Sequence, residues 1–188
     1  MFAERGIKGT STDDIARAAG VTRVTLYRRL GPRDQILRAL YTFEAQRLMS
    51  MVNARYTPFE SLEWDPVRHV EDLLVITVCE IRESELLRRL VEVDKLEAMA
   101  LLAGESDSVL GVITEMVAGF VRNTWSADVH TRPMDAGETE SLSREVGCVV
   151  GRFLHSIVVM PDGPPAVGTE QEIRALARRV LVPMVLQR

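Results

Sequence analysis

At 188 residues, with 46% apolar and 27% charged side chains, the chain is long enough to bury a hydrophobic core without staples and has the composition of an ordinary globular protein. It has no run of 18 or more apolar residues and no basic N-terminal segment leading into an apolar stretch with a small-residue cleavage site; neither a membrane-spanning helix nor a secretory signal is expected, and the protein is expected to be soluble and cytoplasmic. The net charge of −4 hides a split, because residues 1–50 hold nine basic and five acidic side chains while the remainder holds 14 and 22, and a basic head on an acidic body suits a nucleic-acid-binding module joined to a domain that does not bind it.

Apolar residues recur at helical spacing from end to end, and no segment alternates with a period of two between hairpin turns, so an all-α chain of nine helices or fewer is expected. Turn residues near 6–10, Gly20, Gly31-Pro32, 57–66, 104–107, 126–137 and 161–168 leave helices near 11–19, 22–29, 33–54, 67–82, 84–101, 107–125, 138–160 and 169–186. The long helix from Arg33 is expected to join a head of residues 1–45 to a body of residues 46–188 as a shared rigid element.

The segment STDDIARAAGVTRVTLYRRLGPRDQIL is the most informative. Ser11 is a good N-cap and Asp14 completes a capping box with Asp in place of Glu, so a helix starts here with Ile15, Ala16 and Ala19 on its apolar face. Gly20 supplies the left-handed residue that ends it, and Thr22 caps a second helix two residues later. Two short helices joined by a tight turn containing Gly make a helix-turn-helix. In the second, Val21, Leu26 and Leu30 have the spacing to face inward, which leaves Thr22, Arg23, Val24, Thr25, Tyr27 and Arg28 on the outer surface or its margins. Arg can bond guanine bidentately, Thr offers a hydroxyl and a methyl, and Val can pack on a thymine methyl. Capped helix pairs with a Gly turn also occur in proteins that never meet DNA, so on the pair alone both readings stay open.

The run FAERGIKGTSTDDIARAAGVTRVTLYRRLGPRDQILRAL from Phe2 to Leu40 resembles the N-terminal domain of TetR-family repressors, with the landmarks FAERG, GTS, DIA, AGV and TLY. The resemblance covers about a fifth of the chain. It implies that Thr12 touches a phosphate, that Thr22, Arg23, Val24, Thr25 and Arg28 lie in the major groove, that the Tyr27 hydroxyl approaches a phosphate, and that Arg33 anchors the DNA backbone where the family has Lys. Val24 stands where the family often has Gly, Leu30 where it has Phe, and Pro32-Arg33 where it has Ser-Lys. Leu30 is expected to keep an apolar plug in the head, and Pro suits a helix start. The family's first helix normally runs about three turns before this point, so with only Met1 to Arg5 in its place, residues of the natural protein are expected to be missing.

Beyond residue 50 the reading rests mostly on fold-level analogy. The resemblance implies that the last two helices pair with their counterparts in a second subunit as a four-helix bundle, through Gly147, Val150, Gly151, Leu154, Ile157, Ile173, Ala177, Val180, Leu181 and Met184, and Gly147 and Gly151 at i and i+4 would allow close approach. A homodimer would set two reading helices about 34–36 Å apart on a palindromic double-stranded operator. Apolar middle helices with a few polar groups suit a small, largely apolar effector, and Ile76, Thr77, Glu80, Met116, Phe120 and Trp125 are the candidates, most such positions being core. Glu80 needs a partner, either a ligand amine or Arg82, Arg122 or Arg152.

Cys79 and Cys148 sit in apolar helical patterns and are read as core thiols. His69, His130 and His155 have no ligand spacing, so neither metal nor cofactor is expected. Two further readings remain. An all-helical enzyme would need a Glu-x-x-His pair, a nucleophile elbow or a Gly-rich phosphate loop, and none is present; a dimeric interaction module that has lost DNA binding is kept open by Val24.

Overall fold

A computed structural model describes residues 5–6, 9–55, 58–93 and 109–186, for 90–93 the backbone alone. Among the described residues there is no strand. The helices are α1 (Thr12–Ala18), α2 (Arg23–Leu30), α3 (Arg33–Ala54), α4 (Pro66–Glu83), α5 (Glu85–Val93), α6 (Val109–Ala127), α7 (Ala136–Val159) and α8, which runs Glu170–Leu176, passes through a π-helical turn at Ala177–Leu181 and ends Val182–Leu186. The expected boundaries hold to within two residues, apart from the stretch 94–101 of the fifth helix, which lies outside the described residues.

Local chemistry accounts for most of these ends. Asp65, Asp135 and Thr169 cap α4, α7 and α8 by accepting backbone N–H bonds, and Pro66 occupies the first turn of α4, where a missing N–H costs nothing. Pro183 cannot donate to the carbonyl four residues back, and the π turn lies directly before it.

Three apolar clusters organise the molecule. In the head, Ala16, Leu26 and Ile36 pack together with Ile15 and Val21 around them. The body core joins Leu48 and Val52 of α3 to Val70, Leu73, Leu74 and Val78 of α4, to Val117 and Val121 of α6, to Val150, Leu154 and Ile157 of α7, and to Ile173, Ala177 and Leu181 of α8. A smaller cluster of Leu37, Tyr41, Val109 and Val159 lies between them. The helix α3 thus contributes to all three.

Buried charge is satisfied within the chain. Glu71 is 1% exposed and receives Arg174 at 3.3 Å together with Arg178, while Arg174 also holds Asp72 at 2.8 Å, so α4 and α8 are tied by ions as well as by packing. An unpaired carboxylate at that depth would be strongly destabilising. Arg122 reaches from α6 to Ser143 and Glu140 of α7.

The loop before α4 folds Phe59 and Trp64 over His69, whose ring stacks on Phe120 at 4.8 Å. His69 is 4% exposed, and burial lowers its pKa to about 4. The folded state therefore favours the neutral ring. The stability this contributes is fully present above the unfolded value of 6.5 and is lost as pH falls through 6.5 toward 4. Urea unfolding at pH 7.5 and pH 5 should show a loss of about 2 kcal/mol from this group, and His69→Phe should remove that part of the pH dependence.

Candidate functional site

Each short helix of the head is set by its cap. The N–H of Asp14 donates to Ser11 Oγ and that of Ser11 to Asp14 Oδ2, both at 3.1 Å. Gly20 ends α1 with φ +66°, a conformation that an L side chain adopts only with strain, and the Thr25 N–H donates to Thr22 Oγ1 at 3.1 Å to start α2. Leu26 at 4% exposure is the buried anchor of α2, and the opposite face is open: Thr22, Arg23, Val24 and Arg28 are exposed, Val24 at 76%, with Thr25 and Tyr27 half-buried at its edges. Arg23 is held across α2, its guanidinium 3.3 Å from Asp13 Oδ2, 3.4 Å from the Tyr27 hydroxyl and 5.4 Å above the Tyr27 ring. Thr12 is buried, its hydroxyl 3.4 Å from that of Tyr27. These hydrogen bonds from Thr12 and Arg23 hold the Tyr27 hydroxyl below its usual pKa.

One expectation for the head needs correction. Leu30 is 43% exposed rather than a core plug; the head cluster closes around Leu26, one turn earlier, and α2 ends at Leu30 before Gly31. Arg33 donates to the Thr10 carbonyl at 2.5 Å, so its guanidinium ties the start of α3 to the turn before α1.

The body contains a cavity of about 70 Å³. Tyr41, Glu44, Ala45, Leu48, Met49 and Val52, all on α3, make one wall, and Thr77, Ile81, Met116, Leu154, His155 and Val158 are among the residues opposite. Of the six candidates, Thr77 and Met116 line it and the other four do not. Ile76 packs against the body core. Glu80 is ion-paired with Arg55 at 2.6 Å, an arginine outside the three considered, placed there because α3 ends beside α4. Phe120 is covered by His69, and the Trp125 indole donates to the Val185 carbonyl. Tyr41, Glu44 and His155 were missed. A signal existed for Glu44, a carboxylate on the buried stripe of α3. It receives two bonds from Arg47, at 2.7 and 2.9 Å, and one from Ser84 at 2.6 Å, and chiefly the Arg47 bonds hold its pKa below the usual carboxylate range.

The expected dimer residues mostly face inward. Val150, Leu154, Ile157, Ile173, Ala177 and Leu181 are at most 4% exposed within the single chain, so a partner cannot reach their side chains. Gly147 serves the crossing of α6 and α7, since a Cβ there would stand 2.5 Å from the Thr114 carbonyl oxygen, whereas one at Gly151 would make only ordinary contact with Ile113. Met184 is half-buried against the core. Val180 alone of the set is open, at 50%, with Val149 at 55% and Met160 at 56% as further exposed apolar residues on α7 and just beyond it. Period 3.6 identifies apolar stripes but does not say which of two stripes meets the chain's own core.

The structure thus sets a basic, capped helix-turn-helix on a helical body that contains a cavity. Residues 1–40 match the family described as bacterial regulatory proteins, tetR family. The fold is similar to that of the TetR family repressor AlkX from Dietzia sp. strain DQ12-45-1b, implicated in biodegradation of n-alkanes, with TM-score 0.69, 16% identity and 96% of this chain and 86% of that one covered. It is also similar to the R. erythropolis transcriptional repressor QsdR, with TM-score 0.63, 17% identity and coverages of 94% and 84%. No curated protein sequence matches the chain. The likeness to that family thus lies in the sequence of the head, and the likeness to the solved repressors in the fold.

The tie at Arg33 gives a check on the head. Arg33→Ala should lower the free energy of opening the α1–α2 amides by about 1.5–3 kcal/mol, read by native-state hydrogen exchange, because it deletes a charge-assisted bond to a carbonyl.

Proposed function

We propose that the chain is a cytoplasmic, ligand-responsive repressor that binds a palindromic operator as a homodimer and is released from it by a small molecule. The observation that carries the DNA-binding part is the outward face of α2, where Arg23, Val24 and Arg28 stand in solvent around a single buried anchor, Leu26. The face thus offers an apolar side chain at 76% exposure beside two arginines. Against duplex DNA it can pack on a thymine methyl while arginine reads guanine. Asp13 and Tyr27 hold Arg23 in place beforehand, which limits the rotamer entropy lost on binding.

Dimerisation is assigned to the exposed side of α7 and α8, marked by Val149 and Val180, with the half-buried Phe153 and Leu176 on the same two helices. One head alone offers few phosphate contacts. Two heads reading half-sites one turn apart would double them. For release, occupancy of the cavity would favour a conformer with α3 displaced, since six cavity residues lie on that helix and the head cluster is fixed to its start through Ile36.

Binding to the duplex flanking the gene should fall steeply with salt, by about a thousandfold between 50 and 200 mM for six or more phosphate contacts. A log–log slope near zero would remove the DNA-binding reading. Arg23→Ala should cost about 1–3 kcal/mol on the specific duplex and far less on a random one. Equal losses on both would show that this arginine reads no base. Val180→Glu should give a monomer in sedimentation equilibrium and weaken operator binding, and a dimer that persists with this charge would place the interface elsewhere.

A further inference from the structure

Arg23, Arg28 and Arg29 are all exposed on α2, and among the described residues Arg23 alone of the three has an ion pair. Its Nη1 stands 3.3 Å from Asp13 Oδ2 and its Nη2 3.4 Å from the Tyr27 hydroxyl, with the guanidinium carbon 5.4 Å above the Tyr27 ring. Asp13 belongs to the other helix of the pair, α1. The Tyr27 hydroxyl is in turn 3.4 Å from that of the buried Thr12, so both groups that hold the arginine rest on α1. Asp13 and Arg23 are each 56% exposed, and an ion pair this open to water contributes little to stability. Its larger effect is on what Arg23 can bind.

A guanidinium on such a face can bond a phosphate, which fixes position, or a guanine edge, which carries sequence. The carboxylate of Asp13 treats the two differently. A phosphate oxygen bonded to Arg23 would come close to Asp13 Oδ2, so two like charges would repel and an ion pair already made would have to be shared or broken. Guanine O6 and N7 are uncharged acceptors and carry no such penalty. Arginine has five N–H donors, of which Asp13 and Tyr27 take two, and the others suffice for a bidentate pair with guanine. We propose that Asp13 sets specificity by positioning Arg23, keeping it off the phosphates and turning it to a guanine in the major groove. This rests on the reading of the outer face of α2 as the face that meets DNA, and deepens it by assigning the choice of base over phosphate to one carboxylate.

The test uses the full chain and two duplexes of equal length, the one flanking its gene and one of random sequence. Asp13→Asn should raise affinity for the random duplex about five- to tenfold at about 0.1 M salt and steepen its log–log salt slope by about one, the mark of one added phosphate contact. Affinity for the flanking duplex should change by no more than about twofold, so the ratio of the two affinities falls. Asp13→Glu keeps a carboxylate beside Arg23 and should restore the ratio. In an Arg23→Ala background, Asp13→Asn should leave the ratio unchanged, because the residue it acts through is gone. An Asp13→Asn variant that shifts both affinities equally, as a general charge effect or a merely structural role would, overturns the proposal, and so does a change of ratio that persists without Arg23. Either result leaves the DNA-binding reading of α2 intact. Binding of the unaltered chain that does not depend on salt with either duplex removes that reading and this proposal together.

Discussion

The seating of Leu26 between Ala16 and Ile36 is the contact on which the rest depends. A helix of eight residues such as α2 is far too short to hold its shape or direction in water by itself. Its orientation exists only because one buried side chain fixes it to α1 on one side and to the start of α3 on the other. Loss of that contact would leave Arg23, Val24 and Arg28 on a helix with no defined direction, whatever their chemistry. The capping box at Ser11 and Asp14, the left-handed Gly20 and the bond from Arg33 to Thr10 all act on this small unit, and each restricts the angle at which α2 is presented.

The helix α3 extends that constraint into the body. Ile36 belongs to the head, Leu37 and Tyr41 to the middle cluster, and Leu48 and Val52 to the body core, so one straight element passes through three packing environments within 22 residues. Its cavity-facing residues have no other helix between them and the head. Close-packed helices respond to a ligand by shifting as units rather than by deforming locally. A molecule that favours one position of α3 tenfold over another shifts the balance of head positions by about 1.4 kcal/mol.

Much of the head was legible in the sequence because its determinants are local. Ser11, Gly20 and Thr22 act within four residues of themselves, and the structure repeats each of these assignments. Leu30 was misplaced because its surroundings are tertiary: nothing in the local pattern tells what lies over the end of α2. In the body, helix ends were legible from turn residues, whereas the facing of each helix was not. Helices α7 and α8 are apolar over much of their circumference, and the stripe expected to meet a second subunit instead meets α4 and α6. For the cavity, Thr77 and Met116 are the two residues named on the apolar middle helices that line it. Tyr41 and Glu44 were missed because α3 was read only as a connector.

The central claim is that the face of α2 away from Leu26 meets duplex DNA, and hydrogen exchange of the full chain with and without the duplex flanking its gene tests it directly. Backbone amides from the α1 N-terminus through Leu30 should exchange more slowly in the complex, while those of α4 keep their rates. Unchanged exchange across α1 and α2, with slowing confined to the body, would contradict the account.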